Sequence, residues 1–339
     1  MNRPKLKTLG IVLAVILLTG CGVLSLLIYQ VRHFLTTPFP AQAKTIIFNI
    51  DPGQNLGSIA ANLEREGLIT HPALFKLYAR YKKAATGLRA GEYEFSDPAT
   101  PAQLLDQFLA GRVKLYRLTI PEGLNMEEVS RLVQDIHSCD ETAFLSLCHD
   151  PEFIRTLAVD SHSLEGYLYP DTYFFPKKTT CRQIIQKMVA TFHRVYTPEW
   201  KARTKDMGFS VHGIVTLASI IEKETGDASE RPLISSVFHN RLGKNMRLES
   251  DPTVIYGDKE FDGRIRRRHL QRITPYNTYQ IQGLPQGPIA NPGSLSLAAA
   301  LYPEKSEYLF FVSKNDTTHF FSKTFAEHNK AVIKYQLNN

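Results

Sequence analysis

VHGIVTLASIIEKET, residues 211–225, is the stretch around which the rest of the chain is read. From Val211 to Ile221 nearly every side chain is apolar, too uniform for the single stripe of a surface helix, so the segment reads as a helix buried all round. Its last turn changes to Glu222, Lys223 and Glu224, with Gly226 placed to supply a left-handed cap. A carboxylate there meets the negative end of the helix dipole and is partly desolvated by the apolar stem. Both effects disfavour the anion and raise the pKa. A carboxylic acid still protonated near neutral pH is what glycosidic-bond cleavage needs at the leaving oxygen. The same glutamates also read as solvated helix-end charges, paired with Lys223 or Arg231.

Downstream, residues 229–242 (SERPLISSVFHNRL) read as a second helix, with Ser229 as N-cap and Gly243 past its end. Asp251 before Pro252 reads as an N-cap with proline at the first helical position; its functional alternative is a second carboxylate that activates water. Asn277, Tyr279 and Asn291 offer hydrogen bonds and an aromatic face to a sugar, or only close turns. With Glu224, Asp251 and Thr253 they form the expected set of substrate contacts. His319 and His328 lack zinc spacing and read as satisfied histidines beside the groove, so neither metal nor cofactor is expected. The Arg264–Arg268 run (RIRRR) with Arg272 reads as a solvated loop, with peptide carboxylates or anionic lipid as the functional alternative. No GxSxG, SxxK or P-loop is present.

Upstream, Pro121-Glu122-Gly123 marks a turn near the start of the larger domain, 119–339. A strand is expected at 116–120, helices near 126–136, 141–148 and 181–196, and an aromatic-rich loop at 164–175 (LEGYLYPDTYFF). Before it, residues 45–118 read as a small unit: strand 45–50, helices 55–65 and 71–83, strand 91–95, helix 101–110. That order resembles a LysM-like module, the type that packs against N-acetylated glycans; a generic α+β spacer is the other reading.

Leu9–Tyr29 (LGIVLAVILLTGCGVLSLLIY) is 21 residues without a charge, about what a helix needs to cross the hydrocarbon core. The expected order is a cytoplasmic tail, 1–8, a transmembrane helix, 9–31, and a linker, 32–44. Arg3, Lys5 and Lys7 outweigh Arg32, which keeps the N-terminus cytoplasmic and the body extracytoplasmic. Leu18-Thr19-Gly20-Cys21 resembles a lipoprotein processing box, so lipidation at Cys21 is the alternative to a plain span. Removing the anchor, up to about Pro38, is expected to leave a folded body.

The 339 residues are 43% apolar and 22% charged, which excludes disordered, collagenous and polytopic membrane classes. Of the net charge of +7, the first 33 residues supply four basic and no acidic groups, leaving 36 against 33. The body is only mildly basic, and outside the membrane nucleic acid is not an expected partner. Cys139 and Cys148 are nine apart and offer one pairing, with Cys181 left over; three free thiols is the other reading.

Taken in order, the blocks EKET, SER…F.NRL, Met246-Arg247-Leu248, Ser250–Gly257 (SDPTVIYG), Tyr276–Tyr279 (YNTY), Gly283-Leu284-Pro285 and Ile289–Gly293 (IANPG) resemble the YceG-like family of membrane-bound endolytic murein transglycosylases. The resemblance extends from the PEG turn at Pro121, through LEGYLYPDTY, to His319, Phe321 and His328-Asn329. It implies an α+β fold with one membrane helix, a LysM-like domain and a larger mixed α/β catalytic domain, in the bacterial inner membrane. It also implies peptidoglycan glycan strands as substrate, peptidoglycan synthases as neighbours, and the first glutamate of EKE, Glu222, as catalytic acid. Glu222 would protonate the oxygen between N-acetylmuramic acid and N-acetylglucosamine, then accept the proton of the muramic C6 hydroxyl as it attacks C1. The competing readings are a non-catalytic wall-binding anchor and a hydrolytic muramidase using Glu222 and Asp251.

Overall fold

A computed structural model describes residues 3–39, 45–136 and 139–337; the expected linker's residues 40–44 lie outside that set. The chain divides into two compact units, Met1–Tyr116 with Pro176–Lys178, and Arg117–Phe175 with Thr179–Asn339.

The first unit opens with α1 (Arg3–Thr36), 34 residues long. Its stretch Ile11–Thr36 is apolar and long enough to cross a membrane, with a mean hydropathy of 2.8, and buries nothing within the molecule over its central window. The helix does not stop where the apolar run does. Phe34 and, after the helix, Phe39 are buried in the unit's core with Phe48, Phe75 and Phe108, and the Phe39 N–H donates to the Ala99 carbonyl at 3.1 Å. Part of the expected linker is therefore helix that enters a hydrophobic core.

β1 (Ile46–Ile50) pairs antiparallel with β2 (Gly91–Phe95), Ile46 opposite Phe95 and Ile50 opposite Gly91. Between them lie α2 (Leu56–Arg65) and α3 (Pro72–Tyr81), and α4 (Pro101–Ala110) follows. Local chemistry sets these boundaries. Asn55 accepts from the Ser58 N–H to start α2. Thr100 and Gln103 close a capping box at α4, and Gly111 takes the left-handed conformation (φ 65°) that ends it. Ile59 and Leu63 of α2, Phe75 of α3, Tyr93 of β2 and Phe108 of α4 meet at the centre.

In the second unit, β3 (Tyr116–Thr119) pairs with β4 (Thr172–Phe175) in a two-stranded sheet. The aromatic segment expected as a loop thus ends in a strand, because Tyr173 and Phe175 alternate inward. Seven helices run between and after them: α5 (Met126–Ile136), α6 (Glu141–Cys148), α7 (Pro151–Thr156), α8 (Cys181–Val195), α9 (Pro198–Asp206), α10 (Val211–Glu224) and α11 (Arg231–Gly243). The short α12 (Pro252–Ile255) and α13 (Arg267–Gln271) and the apolar α14 (Ser294–Leu301) precede a hairpin of β5 (Phe310–Ser313) and β6 (His319–Ser322). α15 (Phe325–Val332) closes the fold, running into a π-helical turn, Ile333–Leu337. Every residue of α10 from Ile214 to Ile221 is buried, as its composition predicts, with α14 packed along it.

Three expected caps are not formed. Gly226 is not left-handed; α10 ends because Thr225 is extended (φ −142°, ψ 138°). Ser229 bonds back to Asp227 at 2.8 Å, so α11 begins after Glu230 with Pro232 in its first turn. Asp251 has helical backbone angles (φ −58°, ψ −43°) and makes no capping bond, since an N-cap side chain reaches the first turn from an extended backbone. The cysteine pairing also differs from expectation. Cys139 bonds to Cys181, while Cys148 is free and buried. The α6 helix lies between Cys139 and Cys148 and holds them about 12 Å apart along its axis, beyond disulfide reach.

Candidate active site

α10 brings an apolar stem to the middle of the second unit and ends in two glutamates two residues apart. At 100° per residue they point to nearly opposite sides of the axis, so each meets its own surroundings.

Glu222 turns toward the PEG turn. Its carboxylate accepts from Arg231 Nη2 at 2.9 Å and from the Gly293 N–H at 2.9 Å. Both side chains of the ion pair are nearly buried, 5% exposed for Glu222 and 8% for Arg231. Glu122 stands 3.7 Å from the same guanidinium, close enough over Gly293 that a Cβ there would overlap its carboxylate. Burial, and then the Glu222 charge, raise the Glu122 pKa against the lowering by Arg231. Lys223 Nζ donates to the Gly123 carbonyl at 3.1 Å. Glu222 and Lys223 together latch the PEG turn and the IANPG loop to the end of α10.

Glu224 faces the other way, into a cavity of about 400 Å³ shared with Arg241, Asp251, Tyr279, His319 and His328. The residue keeps some surface, but its carboxyl group is densely enclosed. Burial pushes it up to about 7, with the Asp251 charge adding to the rise and the Ser250 hydrogen bond and the Arg241 charge opposing it. The Ser250 hydroxyl donates to Oε1. Across the cavity the Tyr279 hydroxyl donates to Asp251 Oδ1 at 2.7 Å, so burial and that carboxylate keep the phenol protonated.

Of the expected site residues, the fold thus gathers Glu224, Asp251 and Tyr279. It places the rest elsewhere. Thr253 is buried, its hydroxyl donating to the Ser250 carbonyl at 2.6 Å, where it sets the turn that presents Ser250. Asn277 is buried and donates to the carbonyls of His269, Leu270 and Arg272 while its own oxygen receives the Tyr279 N–H. Asn291 is fully buried. It donates to Leu124 O at 2.8 Å and to Glu165 at 3.3 Å, and accepts from the Leu168 N–H at 2.9 Å. Glu165 is buried too, its carboxyl pushed up to about 7 chiefly by burial, against hydrogen bonds from the Met126 N–H and the Tyr256 hydroxyl that favour its anion.

Two participants were not assigned roles from the sequence. Ser250 sits within a block read for its proline turn. Glu230 grips His319 twice, from the backbone N–H at 2.9 Å and from Nδ1 at 2.6 Å, turning the other ring nitrogen away from the carboxylate. The pair is 89 residues apart in sequence, and no local pattern announces it. In the arginine-rich loop Arg266 pairs with Asp262 and Arg272 with Asp258. Among the described residues no three His, Cys, Asp or Glu side chains converge as a metal site.

A carboxyl group raised to about 7 that lines an open cavity, beside a second carboxyl group bound by a tyrosine hydroxyl, can give a proton to a bound oxygen and take one back. The model of the YceG-like family matches residues 48–334. The chain is 33% identical over 317 residues to the endolytic murein transglycosylase of Bacillus subtilis (strain 168), covering 89% of this chain and 88% of that one. It is 29% identical over 341 residues to the endolytic murein transglycosylase of Streptococcus pneumoniae serotype 2 (strain D39 / NCTC 7466), covering 90% of this chain but 61% of the relative's length. A 2.6 Å crystal structure of a YceG-like protein from Listeria monocytogenes superposes with a TM-score of 0.59 at 36% identity, over 85% of this chain and 99% of that one.

Proposed function

The chain belongs to the YceG-like family, and we propose that it is an endolytic lytic transglycosylase of peptidoglycan whose proton donor is Glu224 rather than Glu222. The observation that carries the choice is the contrast between the two carboxyls. Glu222 is committed to a nearly buried guanidinium through one carboxylate oxygen and to a backbone N–H through the other, and it does not line the cavity that Glu224 faces. Glu224 is raised to about 7 by burial and lines the cavity.

Glu224, protonated, donates to the glycosidic oxygen between N-acetylmuramic acid and N-acetylglucosamine. As that C–O bond breaks, the muramic C6 hydroxyl attacks C1 and the Glu224 carboxylate takes the hydroxyl proton. The acid is restored, no water enters, and the new end is a 1,6-anhydro sugar. The nucleophile is already tethered to the reacting ring, which supplies the entropic advantage of an intramolecular step. Asp251, bound to the Tyr279 hydroxyl, supports the site's charge balance and faces the same cavity. His319, held by Glu230, forms another wall.

The proposal extends to topology: α1 spans the cytoplasmic membrane with the N-terminus inside and the body outside. There the β-α-α-β unit acts as a LysM-like glycan-binding module, and the enzyme trims strands made by peptidoglycan synthases. The test is mass spectrometry of muropeptides after incubating long glycan strands with wild type, Glu222→Gln and Glu224→Gln. Anhydro ends, one water lighter than hydrolysed ends, should appear with wild type and Glu222→Gln and be absent with Glu224→Gln. Ends carrying oxygen from labelled water would instead identify a muramidase with Asp251 as base. An inactive Glu222→Gln beside an active Glu224→Gln, both folded, would return the role to Glu222.

A further inference from the structure

The first unit has a cavity that the glycan chemistry does not use. A groove of about 820 Å³ opens between the outer end of α1 and residues 67–74, lined among others by Tyr29, His33, Phe34, Ile69, His71 and Leu74. Its depth relative to a bilayer follows from helix geometry. The uncharged run Leu9–Tyr29 spans about 31 Å, the thickness of the hydrocarbon core, so Tyr29 falls at its edge. Phe34 lies five residues, or about 7 Å, further along the same helix, at the outer limit of a headgroup layer about 5–7 Å deep. Yet Phe34 is already inside the unit's core, with its ring 6.1 Å from that of His71. α1 runs unbroken to Thr36, which leaves no slack to lift the unit away. The groove therefore opens at headgroup depth.

The neighbouring surface has matching chemistry. Ala73 at the groove's edge begins a stripe along α3 that continues through Leu77 and Tyr81, exposed by 58% and 81%. Arg80, Lys82 and Lys83 are exposed beside it. From Gly67 to Gly91 the chain carries five basic residues and no acidic one; the groove itself is lined by Glu64 and by no Lys or Arg, so the cations that would meet an anionic headgroup stand on α3 and the loop after it. Apolar and aromatic side chains flanked by cations are the composition of a segment lying in the interface of an anionic bilayer.

We propose that the first unit carries a binding site for anionic phospholipid, formed by this groove and continued by the exposed face of α3. The bound lipid fixes the orientation of the unit on the membrane surface. This rests on α1 being a membrane span, and the test separates the two statements. The full chain, with Cys21→Ser, is spin-labelled at Leu18→Cys, Thr37→Cys, Leu77→Cys or Tyr81→Cys in turn. It is then placed in nanodiscs of phosphatidylcholine with or without phosphatidylglycerol, and access of oxygen and of a water-soluble nickel chelate to each label is compared.

Oxygen should dominate at position 18 in both lipids. At 37, 77 and 81 it should dominate with phosphatidylglycerol, and the oxygen-to-nickel ratio at 77 and 81 should fall several-fold without it or with Lys82→Glu/Lys83→Glu. Nickel dominating at 37, 77 and 81 in the anionic bilayer while 18 remains in lipid would overturn the lipid site. Nickel dominating at 18 as well would overturn the span. Shielding of 77 and 81 by added glycan strands, and not by phosphatidylglycerol, would make this face a glycan surface and overturn the proposal.

Discussion

Two carboxyl groups on one helix end differ because of what each meets after half a turn. In the proposed mechanism Glu224 must hold its proton to act, so turnover should fall as pH rises through about 7. Its neighbours give the limb a handle with a defined sign. Ser250 stabilises the anion, so Ser250→Ala should move the alkaline limb of the pH–rate profile upward. Asp251 destabilises it, and Asp251→Asn should move the limb downward. A limb that stays in place in both variants would detach the titration from Glu224. Glu224→Gln should cost at least the roughly 10²–10⁴ of general acid–base catalysis. Glu222→Ala should act on stability instead, leaving the buried Arg231 with only the more distant Glu122 at a cost of up to about 3 kcal/mol, readable as a lower denaturation midpoint.

At the scale of elements, buried polar ties and one covalent tie hold the second unit's segments together. Asn291 joins the IANPG loop to Leu124 and Leu168, and Glu165 joins it to the start of α5. The folded pKa of Glu165, about 7, lies above the ordinary carboxyl value, so the stability linked to its proton is complete below about 4.5 and lost as pH rises through 7. Glu224 has the same sign. Thermal stability should therefore decline between about pH 4.5 and 7, and Glu165→Gln and Glu224→Gln should each flatten part of that decline. The Cys139–Cys181 bond closes a separation of 42 residues at the start of α6 and α8. Its reduction should lower unfolding free energy by about 4 kcal/mol by the chain-entropy relation, measured by denaturation with and without reductant.

For the whole molecule, the apolar N-terminal helix shares a core with the rest of the first unit. Removing everything before Pro38 deletes Phe34 from it, so the truncated chain, expected to remain folded, should do so with a less stable first unit. A chain beginning at Val31 should be more stable than one beginning at Pro38 by about 3 kcal/mol, the usual cost of losing a buried phenylalanine. Equal melting of the two in calorimetry would show that Phe34 contributes nothing to that core. The sequence pattern reveals the apolar span and the helices that follow it; it does not reveal that α1 continues into the expected linker as far as Thr36. No composition signal separates a helix that ends at a membrane surface from one that runs into a domain.

The helices and strands of the first unit, the buried character of α10, the apolar anchor and the family blocks were all set by local pattern, because periodicity, capping and motif order are properties of neighbouring residues. Asp251, Tyr279 and Glu224 were also nameable as candidates from their blocks. What tertiary structure alone decided was which glutamate faces a cavity and which is bound to a buried arginine. Arg231, Gly293, Ser250 and Asp251 lie 9, 71, 26 and 27 residues from the glutamates they govern. The same holds for Asn277 and Asn291, whose amides read equally as sugar contacts or loop ties until their partners are known. A pKa depends on burial and on charges brought near by folding, and neither is a property of the segment that carries the carboxyl group.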